Sequence, residues 1–386
     1  MTTPAPSIAE ARADRAELRS AVGTFLEHVH PVESARDLQG DEPFDRATWA
    51  RLAGELDLLG VRVDPQHGGQ GLSFAYSALV AEELGRRLVP SAYLASVGLA
   101  TELISHLATD EQRSRWLPRL VDGSLVATCV LATGAAGVDL TATRRGEEVV
   151  VDGVASFVLQ GADADLVLVE ADLDGRTGVF VVEGNADGLD RASMATVDRT
   201  RKQAQLTFES CAGEPLGVLT AASSDAGVHV LRRVRLEVCA LVAVEAVGAA
   251  EACLAGALAY VGERRQFGQP VGSFQGVQHE LADLHGEVQS ARAAVDRAVD
   301  VLDQQPGARL DIESAVAVAA LRSGEALERV ARQGLHLHGG IGFTWEHTSH
   351  LFLKRALGDR SLIVPRDYHR SQLSDAMFGS SLGVPA

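Results

Sequence analysis

Apolar residues recur every three to four positions through the first third of the chain, from about Ile8 to Asp122. Turn signals interrupt this periodicity at Val63–Gly69 and around Pro90, where Pro, Gly and small polar residues cluster. Such spacing is typical of helices that bury one face against a common core. The pattern therefore predicts an α-helical N-terminal domain over residues 1–122.

Short β-type runs replace the helical periodicity between residues 123 and 220. Each run is rich in β-branched or apolar residues, and Gly, Asp and Asn separate the runs. The runs are Leu125–Val130, Glu148–Val151, Asp165–Val169, Gly178–Val182 and Ala204–Phe208. They predict a small antiparallel sheet or barrel, which forms a middle β domain over residues 123–220.

Helical periodicity returns in the last part of the chain, residues 221–386. Three long helices are predicted there, with bounds near Ala221–Arg265, Phe274–Asp303 and Asp311–His336. Gly268, Pro270 and Gly272 break the pattern between the first two helices and predict a loop. Two long helices joined by a short loop are typical of antiparallel neighbours in a helical bundle.

The composition, 46% hydrophobic and 23% charged over 386 residues, is that of an ordinary globular protein. A net charge of −17 disfavours nucleic acids and anionic membranes as partners, because the mean field of the protein repels both. Four widely separated cysteines without a C-x-x-C motif predict buried free thiols rather than a disulfide framework. The N-terminus has no basic start followed by an apolar run, so we expect no secretory signal and a cytoplasmic protein.

Val238–Val261 is apolar enough to suggest a membrane span. Glu245 and Glu251 lie inside it, however, and Ala and Gly outnumber Leu and Ile. Charged residues are costly within a bilayer. We therefore expect a buried helix of the bundle, in which both glutamates are buried or interfacial carboxylates rather than catalytic bases.

Two motifs stand out in the helical last part of the chain. The first reads ERRQFG from Glu263 to Gly268 and is followed by Ser273-Phe274-Gln275; the second reads LHGGIGFTWE from Leu337 to Glu346. On these motifs and on the order of its elements, the chain resembles the acyl-CoA dehydrogenase family over nearly its whole length. The resemblance implies a mainly α fold with a middle β domain, in which a helical N-terminal domain and a β-barrel precede a C-terminal four-helix bundle.

In this family FAD is implied to lie at a subunit interface of a dimer of dimers, with its isoalloxazine ring on one subunit's β domain. The neighbouring subunit lends six positions, which in this chain are Arg264, Phe267, Gln275, His336, Gly339 and Gly340. His336 replaces a glutamine of the family. A fixed guanidinium suits a pyrophosphate, and a Gly-Gly pair lets the backbone approach a dinucleotide closely. On the residues alone, a helical corner with solvated arginines stays the alternative.

The reaction implied by the family is α,β-desaturation of an acyl-CoA thioester, in which a carboxylate removes the α-proton and the β-hydrogen leaves as hydride to FAD. A positioned Asp or Glu is needed because the α-proton is weakly acidic. The two places where the family carries this glutamate fall on Ile363 and Val238, neither of which is an acid. Glu237 is the remaining candidate base. Glu237 can act as the base only if the helix is shifted. Its side chain is turned by about 100° from that of the next residue, Val238, which occupies the family position.

The predicted β domain also departs from the family pattern. Leu131 and Val138 stand where the family has the Thr and Ser that hold the flavin ring and phosphate. Phe157-Val158-Leu159 replaces a Trp-Ile-Thr run that packs on the ring. An alkyl group cannot donate a hydrogen bond. The contacts that are lost hold a subunit's own FAD, and the contacts that are kept are those lent to a neighbour.

This asymmetry favours the non-catalytic subunit of the heteromeric (α2β2) acyl-CoA dehydrogenases of actinobacterial steroid degradation, which the chain resembles. The implied partners are a homologous catalytic subunit, an acyl-CoA substrate and an acceptor similar to electron-transfer flavoprotein. One alternative is a self-sufficient homotetrameric dehydrogenase that uses Glu237. Another is a flavin-free structural or acyl-binding relative. We expect no metal site, because no carboxylate or cysteine cluster accompanies His347 and His350.

Overall fold

The computed structural model describes residues 8–38, 42, 44–131, 137–146, 148–217, 225–303 and 309–378. The N-terminal part is helical, as predicted. Its helices are α1 (Ile8–Val29), α2 (Arg46–Gly54), α3 (Phe74–Arg86), α4 (Glu102–Leu107) and α5 (Asp110–Val121), with a π-helix at Tyr93–Thr101 before α4. Side chains cap the N-termini of two of these helices. Asp45 accepts hydrogen bonds from the first turn of α2, and Thr109 forms a reciprocal capping box with Gln112 at the start of α5.

Eight strands form one curled sheet in the middle of the chain. They are β1 (Ala127–Val130), β2 (Val138–Arg145), β3 (Glu148–Leu159), β4 (Leu166–Leu173), β5 (Arg176–Glu183), β6 (Leu189–Ser193), β7 (Gln203–Ala212) and β8 (Glu214–Pro215). The strand order is β6-β7-β3-β2-β4-β5-β8, and β1 pairs with β4. Most neighbours are antiparallel, as predicted. However, β1 runs parallel to β4, and β2 also meets β4 in parallel, through Thr141 and Asp172.

Long helices make up most of the remaining chain. They are α6 (Asp225–Glu263), α7 (Gln275–Asp303), α8 (Arg309–His338), α9 (Ser349–Gly358) and α10 (Arg366–Phe378). The predicted loop after α6 contains a minimal hairpin of β9 (Arg265–Gln266) and β10 (Gln269–Pro270). Cys253 lies against Gly334, and Tyr260 lies against His338, so α6 and α8 run side by side and end at the same place. The predicted domain bounds at residues 122 and 220 stay a prediction.

Helix α6 packs against both the N-terminal helices and the bundle. Among the described residues it is a helix long and apolar enough to cross a membrane, yet 78% of its most apolar stretch is buried within the fold, as expected of a core helix. A Cβ at Gly85 of α3 would lie 2.3 Å from the carbonyl oxygen of Glu245, and one at Gly248 of α6 would lie 2.4 Å from that of Glu82. Glycine at both positions lets α3 pack directly on α6. All four cysteines are buried and free, as predicted.

A buried ionic network ties the sheet to the bundle. Arg201, which precedes β7, pairs with Glu245 of α6 and with Asp359, which follows α9. Arg355 of α9 donates from Nε to Asp198 Oδ2 at 2.6 Å. Each of these charged side chains is less than a tenth exposed. A buried charge that loses its partner is strongly destabilising, so the network holds the sheet, α6 and α9 in one arrangement.

Candidate functional site

A two-residue turn projects beyond the end of α6, and we call residues 264–270 the arm. Phe267 and Gly268 form the turn with φ angles of 52° and 83°, between the paired strands β9 and β10. Positive φ at both positions suits a tight β-hairpin. Glycine adopts it freely, whereas a bulky side chain is strained there. Phe267 is nevertheless 94% exposed, so its ring is available to another molecule.

Backbone hydrogen bonds fix the base of the arm. Arg264 N donates to Tyr260 O at 2.8 Å, and Val271 N donates to Arg264 O at 2.7 Å. The Arg264 side chain is exposed and forms no ion pair with a carboxylate in the described part of the chain. Gln275, the first residue of α7, is exposed as well. This end of the bundle therefore presents a guanidinium that no carboxylate among the described residues neutralises.

The Gly-Gly turn follows directly on α8. Gly339, with φ of 64°, and Gly340 lie in a 3₁₀ turn over Gly339–Phe343. A Cβ placed on either glycine would meet no atom within 4 Å. Packing inside this chain therefore does not require small residues here, and the open side of the backbone is free for another molecule to approach. His336, in the last turn of α8, is exposed.

Three aromatic rings pack together where the ends of α6 and α8 meet. The ring of Tyr260, in the last turns of α6, lies 4.6 Å from that of His338, and the ring of His338 lies 4.2 Å from that of His347, measured between centroids. His338 Nδ1 lies 2.6 Å from Gly334 O, so Nδ1 carries the hydrogen. The fold in this way brings the six predicted FAD-contacting residues to one end of the bundle. Their contact with FAD stays a prediction.

The residues that match the family's flavin-ring positions meet in a second place, between the sheet and the segment after α9. They line a cavity of about 60 Å³. Its lining residues are Leu99, Cys129, Val130, Leu131, Val138, Ser156, Phe157, Val158, Leu159, Leu362 and Ile363. Leu131 and Ile363 thus share one cavity although they are far apart in sequence. Residues 132–136, which belong to the same sequence motif as Leu131, lie outside the described residues.

The described lining of this cavity offers a flavin ring few hydrogen-bond partners. Among the described lining residues only Ser156 and Cys129 carry a hydroxyl or thiol, and none carries a carboxylate. Burial raises the pKa of Cys129, so its thiol stays protonated. By contrast, the exposed Arg264 and the open Gly-Gly turn fit the phosphate end of a dinucleotide.

Glu237, the candidate base, does not line this cavity and is only 2% exposed. Arg62 Nη1 donates to its Oε2 at 2.7 Å, and Arg233 Nε donates to its Oε1 at 2.6 Å. Burial alone would raise the pKa of Glu237, but the charges and hydrogen bonds of the two arginines outweigh burial and lower that pKa. A carboxylate held by two arginines is a weak base. The geometry therefore gives no support to Glu237 as the residue that removes a proton.

Two other glutamates of α6, Glu245 and Glu251, are buried or half-buried in ion pairs, as expected. Glu245 belongs to the network with Arg201. Glu251 accepts hydrogen bonds from Arg86 and Arg292, each at 2.8 Å. Across the part of the chain that the structure describes, no group of three or more His, Cys, Asp and Glu side chains is arranged to hold a metal ion.

Sequence reasoning missed Arg62 and the stack of Tyr260 on His338. Arg62 lies 175 positions from Glu237, and no periodicity or motif links residues so far apart. One local signal was available for Glu237: Arg233 precedes it by four residues, the spacing at which opposite charges meet on a helix. That spacing already indicates a paired carboxylate rather than a free base.

The amino-acid sequence matches known domains over both of its helical parts. Residues 12–124 match the acyl-CoA dehydrogenase N-terminal domain, and residues 226–377 match the acyl-CoA dehydrogenase C-terminal domain. The chain belongs to the acyl-CoA dehydrogenase family. Members of this family are FAD-dependent oxidoreductases that act on CH–CH bonds.

Individual acyl-CoA dehydrogenases resemble the chain along nearly its whole length. Acyl-CoA dehydrogenase IpdE2 of Mycobacterium tuberculosis is 31% identical over 362 residues, which cover 92% of this chain and 95% of that protein. A variant of the Tcur3481-Tcur3483 steroid ACAD has a TM-score of 0.82 at 27% identity, over 95% of this chain and 98% of that chain. A chain of the ChsE4-ChsE5 complex from Mycobacterium tuberculosis shares the fold, with a TM-score of 0.84 at 24% identity over 100% of both chains.

Proposed function

We propose that this chain is the subunit of a heteromeric acyl-CoA dehydrogenase that completes the FAD site of a homologous catalytic subunit. The reaction is α,β-desaturation of an acyl-CoA thioester. One observation carries the proposal. The chain exposes Arg264, Phe267 and the Gly-Gly turn at one end of the bundle, whereas the described residues that line the cavity at its own ring-site positions are almost all apolar.

Symmetry explains how one subunit can bind the cofactor while the other subunit only completes its site. A pair of related subunits that share cofactors across a two-fold interface has two equivalent sites, each built from both chains. When the chains differ, one site can lose its cofactor while the other keeps it. The surviving site still needs the residues lent by the chain that no longer binds its own cofactor. We therefore expect one FAD for each pair of chains.

The arm and the Gly-Gly turn have distinct roles in such a shared site. Arg264 supplies a permanent positive charge for a pyrophosphate, and the backbone at Gly339 and Gly340 lets that group approach closely. Phe267 covers an apolar part of the ligand and excludes water from it. Bound FAD supplies the acceptor for the hydride from the substrate's β-carbon. The base is expected from the partner chain, because Ile363 and Val238 cannot accept a proton.

The relatives support this assignment. The name of the Tcur3481-Tcur3483 steroid ACAD joins two components, and IpdE2 is named as an acyl-CoA dehydrogenase. We therefore expect an α2β2 assembly that takes an acyl-CoA of steroid breakdown and passes electrons to an acceptor of the electron-transfer flavoprotein type. A cytoplasmic location belongs to the same proposal.

The test is the flavin content of the purified protein. The chain is expressed alone and, in parallel, with a homologous chain of the same organism that carries glutamate at the position matching Ile363. Absorbance of the released flavin gives FAD per chain, and light scattering gives the assembly. We expect little flavin in the chain alone and one FAD per pair of chains in the complex.

Variants of the complex sharpen this test. Arg264→Gln should lower the FAD content, because a pyrophosphate loses its guanidinium. Arg297→Gln removes an exposed arginine from α7 and is the matched control. A yellow, active homotetramer of this chain alone would favour a self-sufficient dehydrogenase instead. Absence of flavin with every homologous partner would favour a flavin-free relative.

A further inference from the structure

Trp345 lies beside the Gly-Gly turn and is flanked by cations. The Lys354 ammonium is 4.1 Å from the ring centroid, and the central carbon of the Arg199 guanidinium is 5.0 Å from it. His350 meets the same ring edge-on, with centroids 4.7 Å apart. Trp345 is 49% exposed. Because the face of a tryptophan attracts cations, this ring gathers positive charge at an accessible surface.

No carboxylate of the described residues forms an ion pair with these cations. Arg36 Nη1 donates to the backbone oxygen of Glu346 at 2.7 Å, and Arg199 Nη1 donates to that of Leu38 at 2.9 Å. Within the described ranges, neither of these arginines nor Lys354 forms an ion pair with an acid. The chain has 52 acidic residues against 35 Lys and Arg, so a cluster of unpaired cations stands out in it.

The neighbouring acid is already engaged. Asp198, adjacent to Arg199, accepts a hydrogen bond from Arg355 Nε at 2.6 Å. Burial and then the charge of Arg199 lower the pKa of Lys354, while the charge of Asp198 opposes this shift. An anion bound at this place would relieve the repulsion between the two cations.

We propose that Trp345, Arg199 and Lys354 form a binding site for an adenosine diphosphate group, the moiety that FAD and coenzyme A share. A guanidinium binds phosphate oxygens through paired N–H groups, and an ammonium adds a point charge. Phe343 is 71% exposed two residues before Trp345 and offers an aromatic surface for the adenine base. The inference rests on the proposed function only in its choice of ligand, because both nucleotides belong to an acyl-CoA dehydrogenase.

Trp345 itself reports on binding. Trp49 and Trp116 are 1% and 4% exposed, so a change in intrinsic fluorescence caused by a bound anion arises from Trp345. ADP is titrated into the purified full-length chain while fluorescence is recorded, and isothermal titration calorimetry gives the Kd independently. We expect saturable binding of ADP, and binding of inorganic phosphate weaker by at least about tenfold.

Charge-removing variants locate the site. Lys354→Gln should raise the Kd for ADP about tenfold, and the double variant Arg199→Gln with Lys354→Gln should raise it further. Arg176→Gln removes the same charge from an exposed position on β5, outside the cluster, and should leave the Kd unchanged. Circular dichroism verifies that each variant is folded. Lys354→Gln alone keeps the test valid if the double variant fails to fold.

FAD and coenzyme A distinguish the two sources of the nucleotide. Tighter binding of FAD means that these residues hold the cofactor's one pyrophosphate together with Arg264 and the Gly-Gly turn. Tighter binding of coenzyme A assigns the site to the substrate, and either result supports the proposal. The proposal is overturned if ADP shows no saturable binding, if the folded variants bind ADP as the wild type does, or if inorganic phosphate binds as tightly as ADP. None of these readings uses the FAD content of the complex, so they are independent of the test of the proposed function.

Discussion

Tyr260 and His338 stack with ring centroids 4.6 Å apart and ring planes inclined by 33°. The contact joins the end of α6 to the last residue of α8, and so joins the arm to the Gly-Gly turn. The hydrogen bond from His338 Nδ1 to Gly334 O fixes the imidazole in this position. This aromatic contact helps to keep the spacing between the two parts of the proposed dinucleotide site.

Tyr260→Ala should loosen the arm against the Gly-Gly turn. We expect the free energy of unfolding to fall by about 1–3 kcal/mol, because packing against His338 is lost, and the FAD content of the heteromeric complex to fall as well. Tyr260→Phe keeps the ring and is the matched control. Urea unfolding and flavin absorbance measure the two effects. An unchanged FAD content in Tyr260→Ala would mean that the stack does not align the site.

Phe267→Gly should act in opposite directions on the isolated chain and on the complex. Glycine relieves the strain of a φ of 52° and removes little packing from a residue that is 94% exposed. We expect the free energy of unfolding of the isolated chain, measured in urea, to rise by up to about 1 kcal/mol, and the complex to lose FAD.

A second turn of the same geometry provides the control for Phe267→Gly. Asp174 and Gly175 form an exposed turn between β4 and β5 with φ angles of 56° and 79°. Asp174→Gly should stabilise the chain in a similar way and leave the FAD content of the complex unchanged. If both variants retain FAD equally, the ring of Phe267 has no part in holding the cofactor.

Glu237→Gln should affect stability rather than turnover. The substitution leaves Arg62 and Arg233 without the carboxylate that both of them bind. Loss of one partner from such a buried pair lowers the free energy of unfolding by about 3 kcal/mol, and we expect a change of that size. Dye reduction by the complex with an acyl-CoA should show that turnover per bound FAD is retained. Glu237→Asp preserves the charge and serves as the control; a folded Glu237→Gln complex without turnover would make Glu237 the base.

Glu102 should make stability fall as pH rises. Burial raises the pKa of Glu102 to about 7, with Arg62 opposing this rise and Glu237 adding to it. The ordinary value is 4.5, so between the two values the folded chain binds more protons than the unfolded chain and loses stability with increasing pH. This component is absent in Glu102→Gln. Relative to wild type, the variant should therefore gain about 1–3 kcal/mol of unfolding free energy between about pH 4.5 and pH 7.

Urea unfolding at a series of pH values checks the prediction for Glu102. Glu17→Gln, on the exposed side of α1, controls for the loss of one carboxylate. Only the change with pH is diagnostic, because Glu102→Gln also loses the ion pair with Arg62 at 3.1 Å. A difference from wild type that stays constant across the range would show that Glu102 is ionised throughout.

The long helices could be predicted from the sequence because the residues that terminate them are local signals. The predicted C-terminal ends of α6, α7 and α8 lie within two residues of the observed ones. After α6, the reason is that glycine and proline cannot continue a helix. The arm and the Gly-Gly turn were readable for a different reason. Their motifs are short and contiguous, so a family resemblance identifies these residues without any knowledge of the fold.

Features that depend on distant segments were not readable. Strands β2 and β6 were missed because their side chains are mostly polar or exposed and carry little β signal. The parallel pairing of β1 with β4 depends on how the chain returns across the sheet, which local composition does not encode. The ion pair between Arg62 and Glu237, and the cations around Trp345, arise in the same way from segments that only the fold brings together.

The ionic network between the sheet and the bundle limits how this protein can be divided. A cut between β8 and α6 would place Arg201 and Asp198 in one piece and their counter-ions, Glu245 and Arg355, in the other. Each piece would then expose charged side chains that are buried in the intact chain. The apolar surface next to them would be exposed as well. Truncations meant to isolate the cofactor-facing end should therefore aggregate, and work on that end calls for the whole polypeptide.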